Sequence, residues 1–346
     1  MLTPPPSRLL AALLAAILLV VLSGCSDGEP TKPRSDAASE DVAEEPALAA
    51  GTCWSGEQLP EALGEEAFGE WVDEYADGDD DLAESMRDDA AFSEQLPCDE
   101  PHSLELYDVV ELQPALTDQV TQYADLLDQG TPLYRRVRDQ VNDRCLARSP
   151  YGAAQRRAGG LPVQLGPSLN DESGLHLAWD PFPADLWEDG QQKFVCTFEQ
   201  EDPGTLRFAD LTTRKLPVSA RVCMDTPDRS RPCSKPHQAE DIAEMILNTA
   251  IERGAINGRR AVRKGENGPY VALTRAEYAQ LDKVCRTLLT SVSTPATRKQ
   301  GITARVYPGT VKQWPTESGA YLARCFALKP FGPPIPRTTG SVFDRP

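Results

Sequence analysis

Histidine is scarce in this chain, with three among 346 residues, and the common catalytic patterns are missing. The sequence has no Gly-x-Ser-x-Gly elbow, no His-Glu-x-x-His helix and no glycine-rich phosphate loop. A zinc site needs three or four ligands at one place. Three histidines, with cysteines that we expect to be oxidised, do not supply them. We therefore predict no metal site, no cofactor and no catalytic residue.

Positive charge is also in short supply. The chain has 35 Lys and Arg against 53 Asp and Glu, a net charge of −18. The excess is local, because residues 26–97 hold 22 acidic and 3 basic residues. The rest of the chain is close to neutral. A nucleic-acid partner needs a basic face, so we predict no nucleic-acid binding.

Long apolar runs are missing except at the start. Residues 9–22 are almost wholly apolar and follow Arg8, which is typical of a secretory signal. The run is shorter than the roughly 20 residues that span a bilayer. It ends in Leu22-Ser23-Gly24-Cys25, which resembles the lipobox of bacterial lipoproteins.

The lipobox resemblance implies a signal peptide over residues 1–24 and a diacylated, palmitate-type anchor on Cys25. The alternative is an ordinary signal peptide with a chance cysteine. Residues 25–50 are acidic and poor in large apolar residues, so we predict a disordered tether. The protein would then sit on the outer face of the plasma membrane, held by its lipid. At the other end, residues 330–346 are proline-rich and predict a frayed or extended tail.

One eight-residue pattern occurs twice. Cys-x-x-Pro-His-x-x-Glu stands at 98–105 and again at 233–240, and the residues that follow each copy also match. A proline bars helix at the preceding residue, so each copy is expected to turn into a strand. The motif residues, whose role the sequence leaves open, are Pro101, His102, Glu105, Pro236, His237 and Glu240.

Eight cysteines remain after Cys25. An even number in an exported chain favours disulfides over metal sites or reactive thiols. They fall into two sets of four, and each set allows three connectivities. Ten residues separate Cys223 from Cys233, a gap that suits a hairpin staple. We therefore predict these pairs: Cys53–Cys98, Cys145–Cys196, Cys223–Cys233 and Cys285–Cys325.

Local patterns predict the helices and strands. Residues 104–112 and 193–198 are rich in β-formers and predict strands. Helices are expected near 118–129 and from Pro132, with Thr131 as N-cap. Residues 150–172 are rich in glycine and proline and predict a connection. In the second set, Thr274 and Glu277 form a capping box that begins a helix.

Residues 57–94 form an acidic insertion in the first module, since the second copy has nothing of that length between its first two cysteines. Phe68, Trp71, Val72 and Tyr75 recur at helical spacing there. This pattern predicts an amphipathic helix that packs its aromatic stripe on the module.

The ordered set of features resembles the septum formation domain of exported and membrane proteins of actinobacteria. The features are an early Cys-Trp, the Cys-x-x-Pro-His-x-x-Glu pattern before a strand, a helical cysteine, and a late Trp and Cys. We therefore predict an α+β fold of two tandem small disulfide-stapled modules, residues 51–210 and 217–329. Each would be a mixed or antiparallel sheet with packed helices.

The resemblance implies a role in cell division or the envelope and brings no established reaction with it. We predict a non-catalytic binding or scaffolding component, with division proteins, cell-wall proteins or envelope polymers as partners. An envelope enzyme acting on peptidoglycan and an extracytoplasmic small-ligand receptor are the competing functions. Cys98 with His102, or Cys233 with His237, could form a thiol nucleophile and its base. Disulfides and structural histidines, bonded to the glutamate that follows, are the competing interpretation.

Overall fold

The computed structural model describes most of the chain after position 47. The predicted signal peptide, Cys25 and most of the tether lie outside the described residues, so those predictions stay predictions. The described residues are 48–58, 64–75, 90–92, 94–127, 130–159, 161–226, 229–258, 262–265, 268–299, 301–308, 314–316, 319–329 and 339–343.

The described part of the chain is rich in short strands. In chain order they are β1 (Thr52–Trp54), β2 (Glu57–Gln58), β3 (Ala90–Ala91), β4 (Gln95–Leu96), β5 (His102–Glu111), β6 (Gln164–Gly166), β7 (Leu175–Pro181), β8 (Lys193–Gly204), β9 (Val222–Thr226), β10 (Arg229–Arg231), β11 (Ala239–Ile246), β12 (Val262–Gly265), β13 (Gly268–Val271), β14 (Thr303–Pro308) and β15 (Leu322–Leu328).

Helices lie between these strands. They are α1 (Glu65–Tyr75), α2 (Pro114–Thr117), α3 (Pro132–Cys145), α4 (Pro150–Arg157), α5 (Ala184–Glu188), α6 (Asn248–Glu252), α7 (Arg275–Val292) and α8 (Pro295–Lys299). Turns of 3-10 helix cover Tyr123–Leu126, Asp171–Ser173, Phe208–Thr212 and Val218–Ala220. Among the described residues, no helix is both long and apolar enough to cross a membrane.

Two antiparallel sheets repeat one strand order. The first sheet runs β4-β1-β5-β8-β7 and the second runs β10-β9-β11-β15-β14. Each motif copy leads into the central strand, β5 or β11. The last cysteine of each set lies on the neighbouring strand, β8 or β15. The α+β class, with an antiparallel sheet in each half, is therefore confirmed.

The disulfides join the cysteines as predicted. Cα–Cα distances are 5.2, 5.6, 5.1 and 5.3 Å, within the range that disulfides occupy. In each half, one bond closes the motif turn onto the first strand and the other ties a long helix to the sheet. The pairs are Cys53–Cys98, Cys145–Cys196, Cys223–Cys233 and Cys285–Cys325.

Local capping explains where the long helices begin. The Thr131 hydroxyl accepts from the Tyr134 amide at 3.0 Å, which starts α3. At the start of α7 both hydrogen bonds of the predicted capping box are present. The Thr274 hydroxyl accepts from the Glu277 amide at 3.3 Å, and the Glu277 carboxylate accepts from the Thr274 amide at 2.8 Å. Both predicted starts are confirmed.

The helix predicted near 118–129 is wrong. Helix α2 ends at Thr117, before this segment, and the described residues 118–127 contain only a 3-10 turn at Tyr123–Leu126. The Asp125 carboxylate accepts from the Thr121 amide at 2.8 Å and from the Gln122 amide at 3.2 Å. Such side-chain bonds compete with the helical backbone ladder, so the chain turns there.

The acidic insertion contains the expected helix, α1. Phe68 is buried, and its ring lies 6.1 Å from that of Trp71. Trp71 packs against the core beneath the first sheet. The prediction is confirmed for these two rings, while the side chain of Tyr75 lies outside the described residues.

The boundary between the halves is not where the sequence suggested. The predicted connection at 150–172 contains α4 and β6, and both belong to the second half. Strand β6 pairs antiparallel with β11, with Leu165 opposite Met245. Tyr151 and Ala154 on α4 pack in the same core as Leu281 of α7. A segment of the predicted first module therefore completes the second sheet and core.

The frayed or extended tail predicted for residues 330–346 is wrong for residues 339–343, the part of it that the structure describes. Ser341, Val342 and Phe343 are buried, and both apolar side chains join the second core. Gly340 makes this possible by taking a φ of 73°, a left-handed conformation that glycine adopts at little cost. Two apolar residues in a proline-rich tail carry no periodicity, so the pattern gave no sign of this docking.

Candidate functional site

The two histidines of the repeated motif are buried and play matching roles. His102 and His237 are each 1% exposed. Their Nδ1 atoms lie 2.8 and 2.9 Å from the carbonyl oxygens of Glu100 and Lys235. A carbonyl only accepts, so Nδ1 is the protonated nitrogen in both rings. The expectation that each histidine bonds the following glutamate is wrong.

The other ring nitrogen faces the disulfide in the second copy. His237 Nε2 lies 3.5 Å from Cys223 Sγ, and the Cys223–Cys233 bond is buried. In the first copy, His102 Nε2 is buried without a hydrogen-bond partner among the described residues. The cysteines are oxidised in both copies, so the thiol that a Cys98–His102 nucleophile would need is absent from this state.

The motif prolines precede these rings. Strand β5 begins at His102, directly after Pro101. In the second copy, the Pro236 carbonyl accepts from Arg231 Nη1 at 3.1 Å, and β11 begins three residues later at Ala239. Each proline therefore lies in the turn between the bonded cysteine and the central strand, as predicted.

The motif glutamates are buried carboxylates that bind later segments of the chain. Glu105 Oε1 accepts from Arg207 Nε at 2.8 Å, and its Oε2 accepts from the Phe208 amide at 2.5 Å. Arg207 Nη2 also lies 2.7 Å from Oε1. A buried carboxylate must be paired and hydrogen-bonded to be tolerated, and Arg207–Phe208 meets that requirement.

The second copy repeats this arrangement with the C-terminal segment. Glu240 Oε1 accepts from the Ser341 hydroxyl at 2.6 Å, and Oε2 accepts from the Val342 amide at 2.6 Å. Arg221 Nη1 is 3.9 Å from Oε1. Each glutamate thus binds a side-chain donor and the backbone amide of the next residue. Both segments follow the last strand of their own sheet.

Arg221 links this arrangement to the surface. Its Nη2 donates to the Thr213 carbonyl at 2.6 Å, and its guanidinium carbon lies 4.3 Å from the centre of the Phe343 ring, a cation–π distance. Arg221 lines both a small cavity beside Asp241 and a wider open groove. Arg221 carries no distinctive sequence signal, since it is a lone arginine before a strand.

The small cavity is bordered by an unusual carboxyl group, that of Asp241. The volume of this cavity is about 10 Å³, too small for an organic ligand. Asp241 is 2% exposed, and burial raises the pKa of its carboxyl to about 8. Arg324 Nε, 3.6 Å away, opposes this rise without cancelling it. Neither carboxyl oxygen has a hydrogen-bond partner of ordinary geometry within the described part of the chain. The Ser168 side chain and the Ala243 backbone also lower the pKa, but burial outweighs them, so the protonated form is favoured at neutral pH.

The open groove lies beside the motif of the second half, and Cys233 is among the residues that line it. Its volume is about 490 Å³, within the range of small-ligand sites. The turn carrying Asn170 and Glu172 faces the hairpin end at Ser230, and Asn170 Nδ2 donates to the Ser219 carbonyl at 3.0 Å. Hydroxyl, amide, guanidinium and carboxylate groups line it, and none of the described residues in its wall is aromatic.

Comparison with known proteins adds no relative. No family model, no curated protein and no solved structure matches the chain.

Proposed function

We propose that this protein is an extracytoplasmic lipoprotein of the cell envelope that acts by binding or scaffolding, in or near septum formation. The proposal rests on one observation, which is that the residues of the repeated motif are engaged in structural contacts in both copies. In both copies the cysteine is oxidised, the histidine is buried and the glutamate is occupied by a segment of the same chain. Chemistry at the motif would require breaking the contacts that hold each half together.

A binding role places activity on exposed surfaces, and α1 offers an acidic one. Glu66, Glu70 and Asp73 are exposed on this helix, while Phe68 anchors its other side. Exposed charges act over roughly 8–10 Å at physiological salt. Contact with a basic partner or with envelope cations through this face should therefore weaken as salt rises.

Complementation of a deletion strain tests this proposal, with septum placement and cell length as readouts. Neutralising Glu66, Glu70 and Asp73 should impair complementation while expression and disulfides stay normal. Neutralising Glu188 and Asp189, two exposed acids elsewhere in the first half, is the matched control. Full complementation by the α1 variant would argue against this surface. Loss of complementation by His102→Ala in a folded protein would point to a functional histidine instead.

The groove favours a second candidate, the binding of a small polar ligand. Its volume and hydrogen-bonding walls suit such a ligand better than an apolar one. Ser230 is exposed at its edge, so Ser230→Trp would fill the groove without disturbing the core. If the ligand candidate holds, this variant fails to complement although the α1 variant succeeds.

A further inference from the structure

The C-terminal segment is held at both ends and in the middle. The Gly340 amide donates to the Cys233 carbonyl at 2.9 Å, and the Thr297 hydroxyl donates to the Val342 carbonyl at 3.2 Å. Between these contacts, Glu240 takes the Ser341 hydroxyl and the Val342 amide. The backbone and one hydroxyl are thus recognised together, as in a peptide-binding site.

The side chains of the segment are buried in the second core and against Arg221. Val342 and Phe343 pack in the second core and are 5% and 8% exposed. The Phe343 ring lies under the Arg221 guanidinium at 4.3 Å. The Ser341 oxygen also accepts from the Phe343 amide at 3.0 Å, which holds the segment in a tight turn. The site therefore selects a hydroxyl residue followed by an apolar and an aromatic one.

In the first half, the motif glutamate binds a segment in the same way, but that segment lies between two strands of the chain. Glu105 binds the Arg207 side chain and the Phe208 amide, and the Phe208 ring stacks on Tyr107 at 3.8 Å. Residues 207–208 are interior to the chain, since they run on into β9. The segment at Glu240 follows β15, and no helix or strand comes after it in the described part of the chain. Its release from Glu240 therefore breaks no described strand pairing, whereas release of residues 207–208 would pull on β9.

We propose that Glu240 is the centre of a peptide-binding site whose occupant is the C-terminal segment, Thr339–Phe343, and that this segment is a detachable ligand. When the site is vacated, it binds the same segment offered by a second copy of the chain. The carboxylate supplies the specificity, because a buried charge accepting two donors makes stronger hydrogen bonds than a neutral acceptor does.

The experiment begins with the full folded ectodomain, with a protease site placed within residues 330–338. Cleavage after folding and disulfide formation separates the segment from the chain without asking a truncated protein to fold. A fluorescent peptide of residues 339–346 is then added, and its binding is followed by polarisation. The cleaved protein should exchange its own segment for the peptide in a saturable manner, whereas the uncleaved protein should bind little.

Variants locate the site. Glu240→Gln should weaken peptide binding by about tenfold or more, which is the order expected for loss of a charge-assisted bond. Glu105→Gln, the matching residue of the other half, should leave peptide binding unchanged. A peptide carrying Ser341→Ala should also bind more weakly, because it lacks the hydroxyl that donates to Glu240. This measurement leaves the protein itself unchanged.

Two outcomes would overturn the inference. One is a cleaved protein that never exchanges its segment, and the other is equal binding of the peptide to wild type and Glu240→Gln. Neither outcome bears on the acidic α1 surface, so the proposed function is tested separately.

Discussion

Individual buried carboxylates hold distant segments of this chain in place, and the two motif glutamates are the clearest examples. Glu105 and Glu240 occupy the same place in the two sheets and are both nearly inaccessible. Each is satisfied by a segment that arrives after the last strand. The glutamate of the motif thus fixes the position of the segment that follows the last strand of its sheet. This is a physical reason for its presence in both copies.

Asp241 differs from the two glutamates, because it is buried with a distant ion pair to Arg324, 3.6 Å away. Its pKa is about 8 in the folded protein against an ordinary 3.8. The folded state therefore holds this proton more tightly than the unfolded state does. The resulting stabilisation is complete below about pH 4 and is lost as pH rises through about 8. The charged groups that act on it are Arg324, which lowers its pKa, and Glu244, which raises it. Arg221 and Glu240 line the same cavity.

We predict that Asp241→Asn removes this pH dependence. The free energy of unfolding of the wild type should fall between pH 5 and pH 8 relative to that of the variant. Urea denaturation across that range measures the difference, with Asp189→Asn, an exposed site, as the control. Parallel pH profiles for wild type and Asp241→Asn would contradict the raised pKa.

At the scale of elements, the disulfides divide into short and long staples. The bond from Cys223 to Cys233 spans ten residues, and that from Cys285 to Cys325 spans 40. A crosslink restricts the unfolded chain more when it closes a longer loop. The long staple also fixes α7 on β15, two elements far apart in sequence.

We predict that replacing Cys285 and Cys325 by alanine costs more stability than replacing Cys223 and Cys233. Chain-entropy arguments put the losses at about 4 and about 3 kcal/mol, a difference of about 1 kcal/mol. Urea denaturation of the two double variants under oxidising conditions tests the order. A larger loss for the short staple would mean that native contacts around His237, rather than loop entropy, dominate.

At the scale of the whole molecule, the two halves interlock. Strand β6 and helix α4 precede β7 of the first sheet in sequence, yet they pack in the second half. We predict that Leu165→Ala destabilises the second half first, by about 2–5 kcal/mol for a buried leucine. Native-state hydrogen exchange should show β11 and β15 opening before β5 and β8.

Val195→Ala is the matched change in the first core, since Val195 is also buried, and it should reverse that order of opening. If both variants loosen both halves together, the described chain unfolds as a single cooperative unit.

The proposed lipid anchor at Cys25 also concerns the whole molecule. We predict that Cys25→Ala moves the protein out of the membrane fraction without unfolding it, because the residue belongs to neither set of four cysteines. Inhibition of lipoprotein signal processing should instead accumulate the precursor. Membrane retention of a mature Cys25→Ala protein would show that something other than lipid holds it.

The sequence by itself determined the features that are local or repeated. The duplication was visible in the two Cys-x-x-Pro-His-x-x-Glu copies, and a ten-residue cysteine gap favoured one pairing over two others. Capping at Thr131 and Thr274 involves residues three apart, so it can be read from a short window. Phe68 and Trp71 were predicted inward because helical periodicity marks a buried face.

Only the tertiary structure decided which distant segments meet. The three-residue strand β6 is too short for its pattern to identify it, and its place beside β11 depends on the second sheet already being formed. Glu105 and Glu240 select their partners 102 and 101 residues away, where no periodicity connects the two sites. The pKa of Asp241 arises from burial by segments at 151, 168 and 343, so it exists only once the chain has folded around it.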